Sequence, residues 1–526
     1  MQRISNRVMN LAHLLEQSAR QFSDRPGLVW GDTQWSWSAL NARVNAMACA
    51  LAETYGVQKG DRIVVQSQNC NQLFESAFAC WRLGAIWVPA NFRGSPDDLS
   101  WIVRSCGARG MIIQPGFADH AQICAPDLTF MISIGPSDIG TDYDALVEQY
   151  SGAMSPLVDV DYDDPCWLFY TSGTTGHPKA GVLTHGQMSF VVNNHLADLM
   201  PGTTETDGSI AVAPLSHGAG VHMMMQVARG VPTILPASSG FDAAEIWHLI
   251  ERWRVSNLFT VPTIVKLLVE HPSVDQVDHS SLRHVIYAGA PMYRADQITA
   301  LEKLGPVLVQ YFGLGEVTGA ITVLRPDQHE DGSADARREG TCGTARTGMQ
   351  VQIQDETGAE VAPGETGEFC VIGPAVFAGY WDNPKANAAA FRNGWFRTGD
   401  LGHMDADGYF YLTGRESDMY ISGGSNIHPR EIEEKLLLHP DISEVAVFGY
   451  PDPKWGEIGV AVCVTTNGQL LDPKAVSNWL AEKVAGYKLP KSIVFWDELP
   501  KSGYGKITKK LVRAEYERRL SEGAQG

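Results

Sequence analysis

No run of about eighteen apolar, uncharged residues, the length a membrane helix needs, occurs in the chain. The N-terminal stretch lacks a continuous apolar core too. Leu11, Leu14 and Leu15 stand among polar residues, which reads as an amphipathic helix and not as a signal peptide. The expectation is a soluble, cytoplasmic protein with no integral membrane segment. Cations are scarce beside anions, with 41 Lys plus Arg against 60 Asp plus Glu and a formal charge of −19. Such a surface repels phosphate backbones, so nucleic acid is not an expected partner, although a few local donors can still hold a small anion. The nine cysteines, at 49, 70, 80, 106, 124, 166, 342, 370 and 463, include no C-x-x-C pair. Their spacing argues against a zinc site or disulfide framework and for buried apolar thiols in a reducing compartment. Repeats and low-complexity tracts are absent.

What the 526 residues do carry is a globular composition, 44% hydrophobic and 19% charged, long enough for at least two domains. From Asp61 the pattern alternates. DRIVVQSQN, AIWVPANF and ARGMIIQ read as strands, with NQLFESAFACWRL and SPDDLSWIVRSC as helices between them. Alternation of this kind predicts parallel sheets covered on both faces. The theme returns between about 205 and 313 with SIAVAPL, PTILPA, SNLFTV, RHVIYAG and VLVQYFG. Beyond 340 the segments MQVQIQDETG, GETGEFCVIG and DGYFYLTG are β-rich with glycine turns. The expected fold class is α/β: two doubly wound α/β sheets plus a small β-barrel over 1–414, and a smaller α+β C-terminal domain over 415–526. The hinge falls near Gly414–Asp418.

The most informative segment is Tyr170-Thr-Ser-Gly-Thr-Thr-Gly-His-Pro-Lys179, directly after the apolar strand CWLF. Gly173 and Gly176 permit turns that aim successive N–H groups at one point. Thr171, Ser172, Thr174 and Thr175 add hydroxyl donors, and Lys179 adds a mobile charge. A polyphosphate suits this arrangement. The Walker A spacing G-x-x-x-x-G-K-[ST] is not met, and a Ser/Thr/Gly surface loop is the competing reading.

Further motifs follow: A-P-L-S-H-G at 213–218, A-G-A-P at 288–291, Q-Y-F-G-L-G-E at 310–316, W-F-R-T-G-D at 395–400, G-R-E-S-D at 414–418, I-S-G-G-S-N-I-H-P-R-E-I-E at 421–433, and G-K-I near the end. Together with the 170–179 string, from about Leu11 to the Lys506 region, they make the chain resemble the adenylate-forming superfamily of acyl-CoA synthetases, luciferases and nonribosomal-peptide adenylation domains. The resemblance implies an acid–CoA ligase with a mobile C-terminal lid. A carboxylate attacks the α-phosphate of ATP, acyl-AMP and pyrophosphate form, and the thiol of CoA displaces AMP. The implied small-molecule partners are a carboxylic acid, ATP and CoA, with Mg²⁺ as cofactor; a homodimer is the family-based guess for assembly.

Residue by residue, the resemblance implies that Lys506 bridges the substrate carboxylate and α-phosphate. Glu316, with Thr175, would hold Mg²⁺ on the phosphates, as suits a hard oxygen-seeking ion. The loop from Thr171 to Gly176 and Lys179 would hold phosphate. Asp400 would accept from the ribose hydroxyls, and Arg415 would reach ribose or phosphate. Phe312, flanked by Tyr311 and Gly313, would lie beside the adenine, with Gly289, Ala290 and Pro291 opposite. His217 would stand between nucleotide and acyl group. The acyl pocket would be lined by His217, Gly218, His222, Met223, Gly289, Leu314, Gly315 and Thr318. Gly423, Gly424 and Trp455 would border the pantetheine arm of CoA, and Ser417 would be the hinge.

Two positions depart from the family pattern. Gly315 stands where a threonine is usual, removing a hydroxyl for which Thr318 is a candidate substitute; Ser417 stands where Asp or Lys is common. Met223, Met224 and Met225 are flexible fillers that suit an apolar guest, and Arg229 is the nearest cation. The expected acid is therefore a medium or long fatty acid, with an aromatic acid of benzoate or cinnamate type as the alternative. A luciferase-like oxygenase, a stand-alone enzyme loading a carrier protein and a weakened nucleotide sensor are the other readings.

Overall fold

The computed structural model describes residues 7–171, 177–238, 240–290, 292–329, 338, 340–422, 424–469, 471–501 and 507–523. Ser172, Gly173, Thr174, Thr175, Gly176, Pro291, Gly423 and Lys506 lie outside the described residues.

The alternating segments form two sheets. The first has seven strands, in the order 141–142, 130–133, 110–113, 62–66, 86–90, 165–171, 179–184. Every pair is parallel except the last. Ile86–Ala90 is buried at all positions, as a strand covered on both faces must be. The covering helices start and stop on local chemistry. For Pro96–Cys106, Ser95 and Asp98 form a reciprocal capping box and Gly107 ends the helix in the left-handed region. At the centre Trp87 meets Trp81 and Trp167 edge to face, with centroids 6.2 and 4.7 Å apart.

The second sheet has fourteen strands. Its parallel half runs 26–30, 233–235, 209–210, 257–260, 284–287, 308–312. The order then continues antiparallel through 322–324, 341–345, 410–415, 395–404, 367–372 and 350–354. This corrects the expected small barrel: among the described residues the strands beyond 340 do not close. Thr341–Ala345 is paired on both sides, by Thr322–Leu324 and Phe410–Arg415, so it offers no free edge to Gln350–Gln354. The β-rich segments with glycine turns do form strands, and these pair antiparallel in an open sheet.

The C-terminal segment builds a five-stranded sheet in which Ile442–Asp452 and Gly456–Thr465 form the long central hairpin. The helices Pro429–Leu436 and Pro473–Ala481 pack on one apolar face and Lys509–Gly523 on the other. All nine cysteines are free and buried. No helix among the described residues is long and apolar enough to cross a membrane.

Several histidines are folded into this interior in neutral form. Burial pushes His185 and His284 down to about 4 and His222 to about 3. The unfolded chain takes up these protons below about pH 6.5, whereas the folded chain resists until near pH 4, so stability falls as pH drops through that window. At pH 5 each such histidine is expected to cost about 2 kcal/mol. Urea midpoints measured from pH 7 to pH 5 check this; an unchanged midpoint contradicts it.

Candidate active site

The motifs leave the C-terminal ends of parallel strands. One follows Pro165–Thr171 in the first sheet, and others follow Ser209–Ile210, His284–Tyr287 and Leu308–Phe312 in the second. The crevice outside such strand ends is where open α/β sheets bind ligands.

Side chains from both sheets meet there. The ring of Phe169 stacks on His217 with centroids 4.5 Å apart. Thr171 donates its hydroxyl to Oε1 of buried Glu316 at 3.3 Å, and Tyr380 donates to the same oxygen at 2.9 Å. Burial, with the Glu316 carboxylate adding to it, raises the Tyr380 pKa, which keeps the phenol a donor. The Lys179 ammonium lies 5.5 Å from the centre of the Tyr380 ring, within cation–π range. Tyr380 was missed in the sequence. Its reach to Glu316 depends on an antiparallel bridge to Gly181 and on the bond from Phe377 N to Glu316 O at 2.8 Å, neither of which leaves a local pattern.

Glu316 sits in the short turn Gly315–Val317, after which Thr318 adopts φ 50°. A non-glycine residue held in that region marks a spot where surroundings over-determine the backbone. The Thr318 hydroxyl donates to the Val317 carbonyl at 2.7 Å, so it does not stand in for the hydroxyl absent at Gly315. The reason for glycine there is steric. A Cβ at 315 would lie 2.6 Å from Cε1 of Phe169 and 3.2 Å from Cγ2 of Thr171. Gly315→Thr is therefore expected to lower stability by about 1–3 kcal/mol through overpacking. Adding Phe169→Ala should recover part of that loss in urea unfolding; two independent, additive losses would contradict the steric account.

His217 caps the helix Gly218–Arg229, whose first residue packs against Phe259: a Cβ on Gly218 would lie 2.7 Å from that ring. One turn on, His222 stacks face to face on Phe259 at 4.3 Å, and Tyr311 lies 5.8 Å from both rings. Leu314 and Gly315 are half-buried nearby. Met223, Met224 and Met225 are buried in the same core cluster as Tyr311. Phe312 is half-buried, with its ring against Phe369 at 5.2 Å; Gly289, at φ 84°, is exposed and Ala290 half-buried. Gly313 lies against Gly319, where a Cβ would meet the latter's Cα at 2.5 Å.

Asp400 and Arg415 are register partners on adjacent strands. Arg415 donates Nε–H to Oδ1 of Asp400 at 3.1 Å, and Thr398 Oγ1 accepts from the Asp400 N–H at 3.0 Å. Oδ2 of Asp400 is buried with no partner among the described residues. Burial raises the carboxyl pKa and Arg415 opposes the rise. Ser417 is exposed in the following turn. In the C-terminal sheet Ser422 pairs with Gly456, which brings the turn at Gly424 beside exposed Trp455. Among the described residues no three His, Cys, Asp or Glu side chains gather as a metal cluster.

A second group was missed outright. Arg346 is buried, with Nε donating to Asp198 Oδ2 at 2.9 Å and Nη2 3.3 Å from Nδ1 of His195. The ring of His195 lies 5.1 Å from that of His222. The cation beside His195 and His222 is thus Arg346, where the sequence offered Arg229. Arg346 and Asp198 are 148 residues apart, beyond the reach of any local motif.

Comparison with known proteins agrees with this arrangement. The model of AMP-binding enzymes matches residues 15–381, and that of the AMP-binding enzyme C-terminal domain matches 431–506. A feruloyl-CoA synthase from Amycolatopsis sp is 36% identical over 92% of this chain and 95% of its own. A Mycobacterium tuberculosis fatty acyl CoA synthetase structure is 30% identical, with TM-score 0.75, covering 97% of this chain and 99% of that one. The crystal structure of an anthranilate CoA ligase in complex with anthranoyl-AMP is 25% identical, with TM-score 0.88 and 97% of each chain covered. The chain belongs to the AMP-binding enzyme family and is an ATP-dependent, AMP-forming acid–CoA ligase.

Proposed function

We propose that the acid activated is aromatic and that the residues of the crevice divide the two half-reactions between them. Lys506 meets the junction of carboxylate and α-phosphate, while the loop Thr171–Gly176 and Lys179 hold the phosphates. Oδ2 of Asp400, buried and unpartnered, accepts from the ribose, with Arg415 holding Oδ1. Phe312 and the segment Gly289–Ala290–Pro291 flank the adenine. His217 stands between nucleotide and acyl group. Gly423, Gly424 and Trp455 border the thiol arm, and Ser417 lets the unit 415–526 turn against 1–414. Glu316 is a buried carboxylate that accepts from the Thr171 hydroxyl, a set that fits Mg²⁺, since that ion takes one or two carboxylates and leaves its other positions to water and phosphate oxygens. Held by Glu316 and Thr175, it would neutralise charge on the departing pyrophosphate.

The observation that carries the aromatic reading is the floor below His217. Five residues of helix separate His217 from His222, a rise of about 7.5 Å. There the rings of His222, Phe259 and Tyr311 lie nearly parallel, at 9°, 25° and 16° to one another. An acid reaching from His217 toward these rings would meet aromatic faces, which favour an aromatic guest. The names of the feruloyl and anthranilate relatives support the same choice. AMP release with ATP, CoA and an acid panel tests it: aryl acids should exceed octanoate and palmitate at least tenfold in kcat/KM, and the reverse order overturns the reading.

A further inference from the structure

Below His217, three polar side chains are buried side by side: His222, His195 and Arg346. His222 is 5% exposed, and neither of its ring nitrogens has a hydrogen-bond partner among the described residues. Nε2 of His195 and Nη1 of Arg346 are equally without one. Buried polar atoms are normally satisfied, and leaving one unpaired costs about 1–3 kcal/mol. Such positions on neighbouring side chains point to a polar ligand group that meets one of them, at a His222 nitrogen.

The chemistry of that group follows from the charges. Burial first, then the nearby Arg346 charge, lowers the His222 pKa to about 3, and His195 is held well below its ordinary value for the same reasons. Both rings are therefore neutral, each with one donor and one acceptor nitrogen. Arg346 is already balanced by Asp198, which also accepts from the Thr347 N–H at 2.9 Å and its hydroxyl at 2.8 Å. A second carboxylate entering here would find no uncompensated positive charge. An alkyl end would leave every position unfilled. A hydroxyl, which donates once and accepts twice, matches a neutral imidazole.

We infer that His222, backed by His195 and Arg346, binds a hydroxyl on the far end of the acid, so that the enzyme's substrate class is hydroxylated aryl acids. This rests on the aromatic reading above and adds the specificity-determining residue. Half-buried Phe259, packed over Gly218 and stacked on His222, sets an aromatic edge beside His222. His222 is a binding residue; His195 and Arg346 act through it and are positioning residues.

The wild-type enzyme should show kcat/KM for para-hydroxycinnamate at least about a hundredfold above that for cinnamate, because a site built around a hydroxyl rejects the analogue that lacks it. The para-hydroxybenzoate and benzoate pair should show the same sense. His222→Phe should bring the ratio near one, and His222→Gln, which keeps a donor and an acceptor, should retain most of it. A wild-type ratio near one, or a ratio unchanged in His222→Phe, overturns the inference while leaving the ligase reading intact. The wild-type comparison stands even where a variant does not fold. Calorimetry of the two acids with AMP separates the remaining case. No AMP release with any acid, but tighter binding of the hydroxylated one, would sink the catalytic assignment and uphold the hydroxyl site; equal binding would sink both.

Discussion

Lys506→Ala is expected to reduce pyrophosphate release about a hundredfold to a thousandfold, the size of effect seen when one preorganised charge partner is removed from a transition state. The first half-reaction brings two anions together, a carboxylate and a phosphate, and a single ammonium between them offsets their repulsion and the charge that develops on the α-phosphate oxygens. The second half-reaction starts from acyl-AMP, where the carboxylate charge is gone and, on the proposed placement, the thiol approaches along the Gly424 and Trp455 side. Thioesterification of supplied acyl-AMP should therefore stay within a few-fold of wild type. Measuring the halves separately decides the matter, and equal losses in both would contradict the role given to Lys506.

Asp400→Asn should act on nucleotide binding. The substitution keeps the shape but removes the charge that Arg415 pairs with and places an amide where one carboxylate oxygen accepted. Hydrogen bonds to charged groups contribute about 1.5–3 kcal/mol, so KM for ATP should rise roughly tenfold to a hundredfold. The ratio of rates between different acids should not move, since the acyl end is elsewhere. A variant with unchanged KM for ATP but a lower kcat would place Asp400 in another role.

Much of this arrangement was legible in the sequence because its causes are local. Apolar runs punctuated by glycine and capping residues located the strands 62–66, 86–90 and 308–312 and the helices between them, and the glycine-rich turns marked where strands end in the crevice. The order in which antiparallel strands join was not legible. It depends on which edge remains free once Thr341–Ala345 is paired twice, a property of the whole sheet. Tyr380, Arg346 and Asp198 escaped for a related reason. Each takes its meaning from a partner tens of residues away or more, and none stands in a distinctive spacing. Gly315 showed itself as a departure, but its explanation, the bulk of Phe169, needed the neighbouring sheet.

The open continuation of the long sheet bears on how AMP is measured out. The strand that carries Tyr311 and Phe312 and the strands that carry Asp400 and Arg415 belong to one unbroken hydrogen-bonded plank, joined through 322–324 and 341–345. On the proposed placement, base and sugar are gauged from a common stiff ruler, and nucleotides stretched between those two points should be refused even where each end alone would fit.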